Sequence, residues 1–237
     1  MKMLGVIGGT GFERFFTGTE TEVETQFGRA TLVLREKEGL AFLSRHDFNH
    51  SIPSHKINSK ANVLAFKKLG VRNIVAINSC GVLSKYRVGD LVLLKDFLAF
   101  HITPTTFFDK LDSLDQHVFM NPPFSESLGK KIVSSSRKAG VELKQGGVVA
   151  FNYGPRFETP AELKAFAKLG ANLVGMTTPP EAVLCREAGL EYACIAVASN
   201  LVFGKEKFTI EGMLRASKSK SEAVRKIVLE LAAGFER

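Results

Sequence analysis

The stretch SKANVLAFKKLGVRNIVAINSCG, residues 59 to 81, holds the pattern that decides the fold. Ser59 to Leu69 reads as a helix, Gly70 as its left-handed cap, and Ile74 to Ile77 as a short β-branched strand that releases the chain into NSCG. The same exit recurs along the chain: KKLGV at 67 to 71, AKLGA at 167 to 171 and REAGL at 186 to 190 each set a glycine (Gly70, Gly170, Gly189) between a helix and the next apolar run. Further strands are predicted at Met3 to Ile7, Leu32 to Leu34, Ala41 to Leu43, Leu91 to Leu94, Gly147 to Phe151, Leu173 to Met176 and Tyr192 to Ala198. Helices are predicted at Ser125 to Ala139, Pro160 to Leu169, Pro180 to Ala188 and from about Thr209 to the end. This alternation predicts an α/β fold with a mixed β-sheet flanked by helices on both faces.

Composition bounds the reading. At 237 residues and 25.9 kDa the chain fits one domain, residues 1–237, with no internal repeat or low-complexity segment. Its apolar runs are far shorter than the roughly 20 residues a membrane helix needs, and no signal-peptide pattern opens it, so a cytoplasmic location with no membrane partner is expected. Cys80, Cys185 and Cys194 lack CxxC spacing and read as small buried thiols. A net charge of +8 invites a nucleic-acid reading. The basic residues are nevertheless dispersed, with local concentration only at Lys205 to Lys207 and Arg215 to Arg225, so no nucleic-acid partner is expected.

Five segments carry candidate chemistry. IGGTGF at 7 to 12 offers accessible backbone N–H groups and the Thr10 hydroxyl, which suit an anion or equally a tight structural turn. Its spacing is neither a P-loop nor a complete dinucleotide fingerprint. SRHDFNHSIPSHKIN at 44 to 58 sets Arg45 beside His46, then His50 and His55; a planar guanidinium fork and an imidazole donor suit phosphate oxygens. Zinc competes for these histidines, but the intervals of four and five residues complete no ligand set, so phosphate is favoured and no metal is expected. NSCG at 78 to 81 and GMTTPPE at 175 to 181 fall at carboxyl ends of predicted strands, where α/β proteins place ligands. YGPRFETPAE at 153 to 162 is a capping box, with Thr159 as N-cap, Pro160 at the first helical position and Glu162 reaching back. The box leaves Phe157 and Glu158 unexplained: an aromatic face followed by a carboxylate, suited to a planar base with an N–H edge. Residues 98 to 124 show weak periodicity and read as long loops.

In this order, IGGTGF, RHDFNH, SIPSHKINSKANVLAFKKLGV, NSCGVL with VGD, GPRFETPAE, VGMTTPPEAVLCREAGL and the strand ending in ASN resemble the trimeric purine nucleoside phosphorylase and methylthioadenosine phosphorylase family over nearly the whole chain. The resemblance implies phosphate held by Thr10, Arg45, His46, the backbone around Ser79 and Cys80, and Thr177. It implies Met176 under the ribose, Phe157, Glu158, Asn200 and Val202 at the base, and His117 reaching the 5′ side of the sugar in a neighbouring subunit. Asn200, Glu158 and His46 become the candidate catalytic groups. The implied partners are a purine nucleoside, inorganic phosphate as co-substrate, and further copies of the chain in a homotrimer or hexamer; no cofactor is implied.

The branch of that family acting on 6-aminopurines has Ser in place of Glu158, and Asp-x-Asp in place of Asn200, Leu201 and Val202, so a 6-oxopurine preference is implied. Where a histidine often meets the 5′-hydroxyl, this chain offers Ile210, Met213 and Leu214. That departure implies an apolar 5′ pocket. The rival readings are a methylthioadenosine phosphorylase, which comparison of methylthioadenosine with methylthioinosine separates, and a non-catalytic nucleotide- or nucleic-acid-binding module, which predicts salt-sensitive polynucleotide binding.

Overall fold

The computed structural model describes residues 3–100, 105–203 and 208–235. In chain order it contains β1 (Leu4–Gly8), β2 (Thr19–Thr25), β3 (Gly28–Arg35), β4 (Leu40–Ser44), α1 (Ser59–Lys68), β5 (Asn73–Val82), β6 (Leu91–Leu98), α2 (Glu126–Lys138), β7 (Lys144–Phe151), α3 (Pro160–Lys168), β8 (Leu173–Gly175), α4 (Thr178–Glu187), β9 (Glu191–Leu201), α5 (Ile210–Ser219) and α6 (Ser221–Ala233). Gly70, Gly170 and Gly189 take φ of +75°, +94° and +71°, as the repeated helix exits predict.

The strands form one mixed sheet in the order β2-β3-β4-β1-β5-β8-β7-β6-β9, and β9 also pairs with β5. That last pairing closes a circuit of five strands, β5-β8-β7-β6-β9, from which the remaining strands extend as an open wing. β1 lies fully buried between β4 and β5, parallel to both. One face packs against α1 and α4 through Val63, Phe66, Ala182 and Leu184. The other packs against α2 and α6 through Leu128, Ile132, Val224, Ile227, Val228 and Leu231. Helices therefore cover both faces of a mixed sheet, the α/β architecture the alternation predicts.

Several elements differ from their predicted bounds. β2 is an additional strand; its sequence TETEVET buries only Val23, so it carries almost no apolar signal. β5 runs on through NSCG to Val82, with a bulge against β9 between Cys80 and Gly81. β9 runs on to Leu201 and takes Asn200 into the sheet. The single C-terminal helix is two, broken at Lys220 without glycine or proline. The break lets α5 lie along β9 while α6 packs on α2. Within 105–124 the described chain forms one 3-10 turn, Leu114–Gln116, closed by a capping box of Ser113 and Gln116. Lys205 and Lys207 lie outside the described residues.

Candidate active site

The carboxyl ends of β1, β4, β5, β8 and β9 open into a cleft of about 1220 Å³. β1 ends in the turn Gly9–Gly11. A Cβ on Gly9 would lie 2.5 Å from Arg45 Nη1 and 2.8 Å from the Ile77 carbonyl, and one on Gly11, at φ +87°, would lie 2.8 Å from Ser217 Cβ. Both glycines are required by close approach. Ser79 Oγ donates to the Thr10 carbonyl at 2.7 Å and sits 2.7 Å from Ser217 Oγ, which ties the turn to β5 and α5.

Arg45 leaves β4 with its N–H on the Gly8 carbonyl, and the residue is 2% exposed. Nε and Nη2 donate to Glu181 Oε1 and Oε2 at 2.5 and 2.9 Å, while Nη1 donates to the Ile77 carbonyl at 3.3 Å. Tyr192 donates its hydroxyl to Glu181 Oε2 at 2.7 Å. Burial opposes the guanidinium charge, but the adjacent carboxylate outweighs it and holds the Arg45 pKa above its ordinary value. The fork read from the sequence as open to phosphate is thus largely occupied by Glu181.

His46 Nδ1 lies 2.7 Å from the Ile52 carbonyl, and its ring stacks on His50 at 4.5 Å. Burial, and then the Arg45 charge, push His46 down to about 4. The ring is neutral near pH 7. A carbonyl beside Nδ1 demands the N–H there, so Nε2 carries the lone pair and accepts, where the sequence reading had a donor. His50 in turn pairs with Glu13 at 2.8 Å, and Glu13 also accepts from the Gly11 N–H at 2.9 Å.

The other end of the cleft is built by β5, β9 and the 153–159 loop. Ser199 Oγ lies 2.9 Å from Asn200 Oδ1 and 3.1 Å from the Cys80 carbonyl. One hydroxyl proton faces these two acceptors, so Ser199 ties the Asn200 side chain to the β5 bulge. Gly81 faces Asn200 across the bulge, where a Cβ would meet Val202 at 2.7 Å. Phe157 is half exposed and packs edge-on against Phe208 at 4.9 Å. The capping box fixes the loop that carries it: Glu162 N–H donates to Thr159 Oγ1 at 3.2 Å, and Thr159 N–H donates to Glu162 Oε2 at 2.7 Å. Arg156 grips the same carboxylate with bonds of 2.7 and 2.8 Å, so the Arg156 bond and then the Thr159 N–H hold Glu162 at about 2.

The cleft runs from the Gly9–Gly11 turn to Phe157, Glu158 and Asn200, with Met176 and Thr177 also on its wall. The profile described as Phosphorylase superfamily matches residues 3–233. The chain belongs to the phosphorylase superfamily. This phosphorylase is 40% identical over 209 residues to a probable S-methyl-5'-thioinosine phosphorylase of Methanopyrus kandleri, covering 86% of this chain and 80% of the relative. It is 34% identical over 242 residues to the 6-oxopurine nucleoside phosphorylase of Pyrococcus furiosus, covering 97% and 91%. A methylthioadenosine phosphorylase from Schistosoma mansoni in complex with adenine superposes with a TM-score of 0.90 at 29% identity, covering 100% of this chain and 92% of that one.

Of the residues singled out in the sequence, the phosphorylase cleft gathers Thr10, Arg45, His46, Ser79, Phe157, Glu158, Met176, Thr177, Asn200 and Val202. Thr177 lines the cleft as the N-cap of α4 and makes no side-chain capping bond, while Pro179 and Pro180 in the first turn have no N–H to offer. Cys80 does not line the cleft: its thiol is buried in the core and burial pushes it up to about 12, while Ser79 and Gly81 on either side do line it. His117 is exposed on the 105–124 segment, outside this chain's cleft. His50 is at the rim, and His55 instead borders a second cavity of about 400 Å³. Glu13, Glu181 and Ser199 were not singled out. Glu181 has the place of an ordinary first-turn acid on α4, and its partner Arg45 is 136 residues away. Among the described residues no group of three or more His, Cys, Asp or Glu gathers as a metal set, and no helix is long and apolar enough to cross a membrane.

Proposed function

We propose that this phosphorylase cleaves 6-oxopurine nucleosides with inorganic phosphate, releasing free base and the pentose 1-phosphate, without a cofactor. The observation that carries the reading is one cleft holding Glu158 and Asn200 together with Thr10, Arg45, His46 and Thr177. Phosphate rests on the Gly9–Gly11 turn and the Thr177 hydroxyl. Its protonated oxygen donates to His46 Nε2, and a free oxygen attacks C1′ as the C1′–N9 bond breaks.

The electron pair of that bond leaves with the purine and spreads to N7 and O6, where the Asn200 amide donates. Glu158 as a carboxylate only accepts, so it pairs with the N1–H of hypoxanthine or guanine and meets a lone pair on adenine N1. Once the bound base covers Glu158, a mismatch of this kind discriminates by about 10⁴. Arg45, His46 and Thr177 act chiefly by positioning phosphate below C1′.

Ile210, Met213 and Leu214 form an apolar wall of the same cleft, which favours a 5′-methylthio group and makes 5′-methylthioinosine a fitting substrate beside inosine and guanosine. The relative named for S-methyl-5'-thioinosine supports the same choice. Assembly as a homotrimer or hexamer is supported by Leu114 and Phe119, which flank His117 and are 81% and 87% exposed in the single chain.

Exchange of Glu158→Ser with Asn200→Asp tests the base assignment. The ratio of kcat/KM for methylthioinosine to that for methylthioadenosine should fall by at least about a hundredfold. An unchanged ratio in a folded variant would contradict the assignment.

A further inference from the structure

Arg45 reaches the cleft in an unusual state for a phosphate ligand. Two of its three nitrogens are spent on Glu181, and all four atoms of that fork-to-fork pair lie in the interior. Glu181 also takes the hydroxyl of buried Tyr192, so one carboxylate joins β4, α4 and β9. What remains of the guanidinium is Nη1 and the second N–H of Nη2, with Nη1 wedged where Gly9 lacks a side chain and tethered to the Ile77 carbonyl. Glu181 lies one helical turn beyond Thr177 on α4, so a single element both supplies a cleft hydroxyl and sets the arginine.

We propose that Glu181, supported by Tyr192, is a positioning residue of the phosphate site: it locks Arg45 so that the Nη1 end beside Gly9, and not the Nε side, is presented to the co-substrate. This rests on the phosphorolytic reading above. A bidentate guanidinium–carboxylate pair fixes both distance and plane. An arginine without that lock would turn its fork toward the anion and draw it off the line of attack, and misplacement of about 1 Å is costly to a positioned reaction. The buried pair has a second possible reason to exist, as a structural tie that leaves phosphate binding untouched.

Steady-state kinetics with phosphate and nucleoside varied independently separates the two. Glu181→Asp keeps the charge and shortens the reach; it should raise KM for phosphate about tenfold, with KM for nucleoside changed less than about twofold. Tyr192→Phe removes one oxygen and leaves both charges in place, so it keeps the test open should the first variant fold poorly. It should raise KM for phosphate about threefold. The rise in Tm that phosphate gives the wild type should shrink in both variants. Lowered Tm with unchanged KM for phosphate, or equal shifts in both KM values, would overturn the proposal. Absence of phosphate-dependent turnover in the wild type would instead defeat the functional reading on which it rests.

Discussion

His46 has the pH dependence most directly written into its surroundings. Its folded pKa of about 4 lies below the ordinary 6.5, because it is buried and beside Arg45. Below pH 6.5 the unfolded chain therefore binds a proton that the native state refuses, so His46 lets stability stand in full above about 6.5 and lowers it as pH falls toward 4. Between pH 6.5 and 5 the loss is about 2 kcal/mol. Urea unfolding across that range should show the slope, and His46→Asn should flatten it. A wild-type profile flat from 7.5 to 5 would deny the buried neutral imidazole. Ser199 gives a second prediction at this scale. If its hydroxyl sets the face of the Asn200 amide, Ser199→Ala should lower kcat for inosine about tenfold while Ser199→Thr restores it. Equal activity in Ala and Thr variants would leave Ser199 a packing residue. Glu181 was not legible in the sequence because its partner Arg45 is 136 positions away and only the fold brings the two together; Ser199 adjoins Asn200 in the chain, but nothing in the sequence shows that its hydroxyl turns onto that amide.

At the scale of elements, local chemistry was legible and non-local register was not. Thr159 and Glu162 are three residues apart, so their capping box could be read directly and is present in the structure. The helix exits at Gly70, Gly170 and Gly189 were readable for the same reason. Thr19–Thr25 gave no signal because one apolar residue does not make an alternation, and its pairing with β3 supplies what the side chains do not. The break at Lys220 was hidden because its cause is tertiary: Ser217 is fully buried close to Gly11 and Ser79, whereas the α6 stripe Val224, Ile227, Val228 and Leu231 faces the sheet. The capping box also holds the loop that carries Phe157 and Glu158. Thr159→Ala should cost about 1 kcal/mol of stability. It should raise nucleoside KM more than phosphate KM, and kinetics with each substrate varied alone would show whether the loop and the phosphate end are independent.

For the whole molecule, the alternation of strands and helices was enough to anticipate a mixed sheet with two covered faces. The closing pair between β5 and β9 was not, since register across 118 or more positions, such as Asn73 with Glu191, has no local signature. That closure matters to the site, because the bulge at Cys80 and Gly81 sets Asn200 opposite Gly81 at the cleft. Assembly is the remaining property at this scale. Sedimentation should give a mass three or six times the 25.9 kDa chain, and His117→Ala should lower activity without altering that mass. A monomer of full activity would remove His117 from the site. The central claim is tested most directly by free-base release from inosine, guanosine, methylthioinosine, adenosine and methylthioadenosine, each with and without phosphate. Release that requires phosphate and is confined to the three 6-oxopurine nucleosides is the predicted result; release chiefly from methylthioadenosine, or release indifferent to phosphate, would contradict the account.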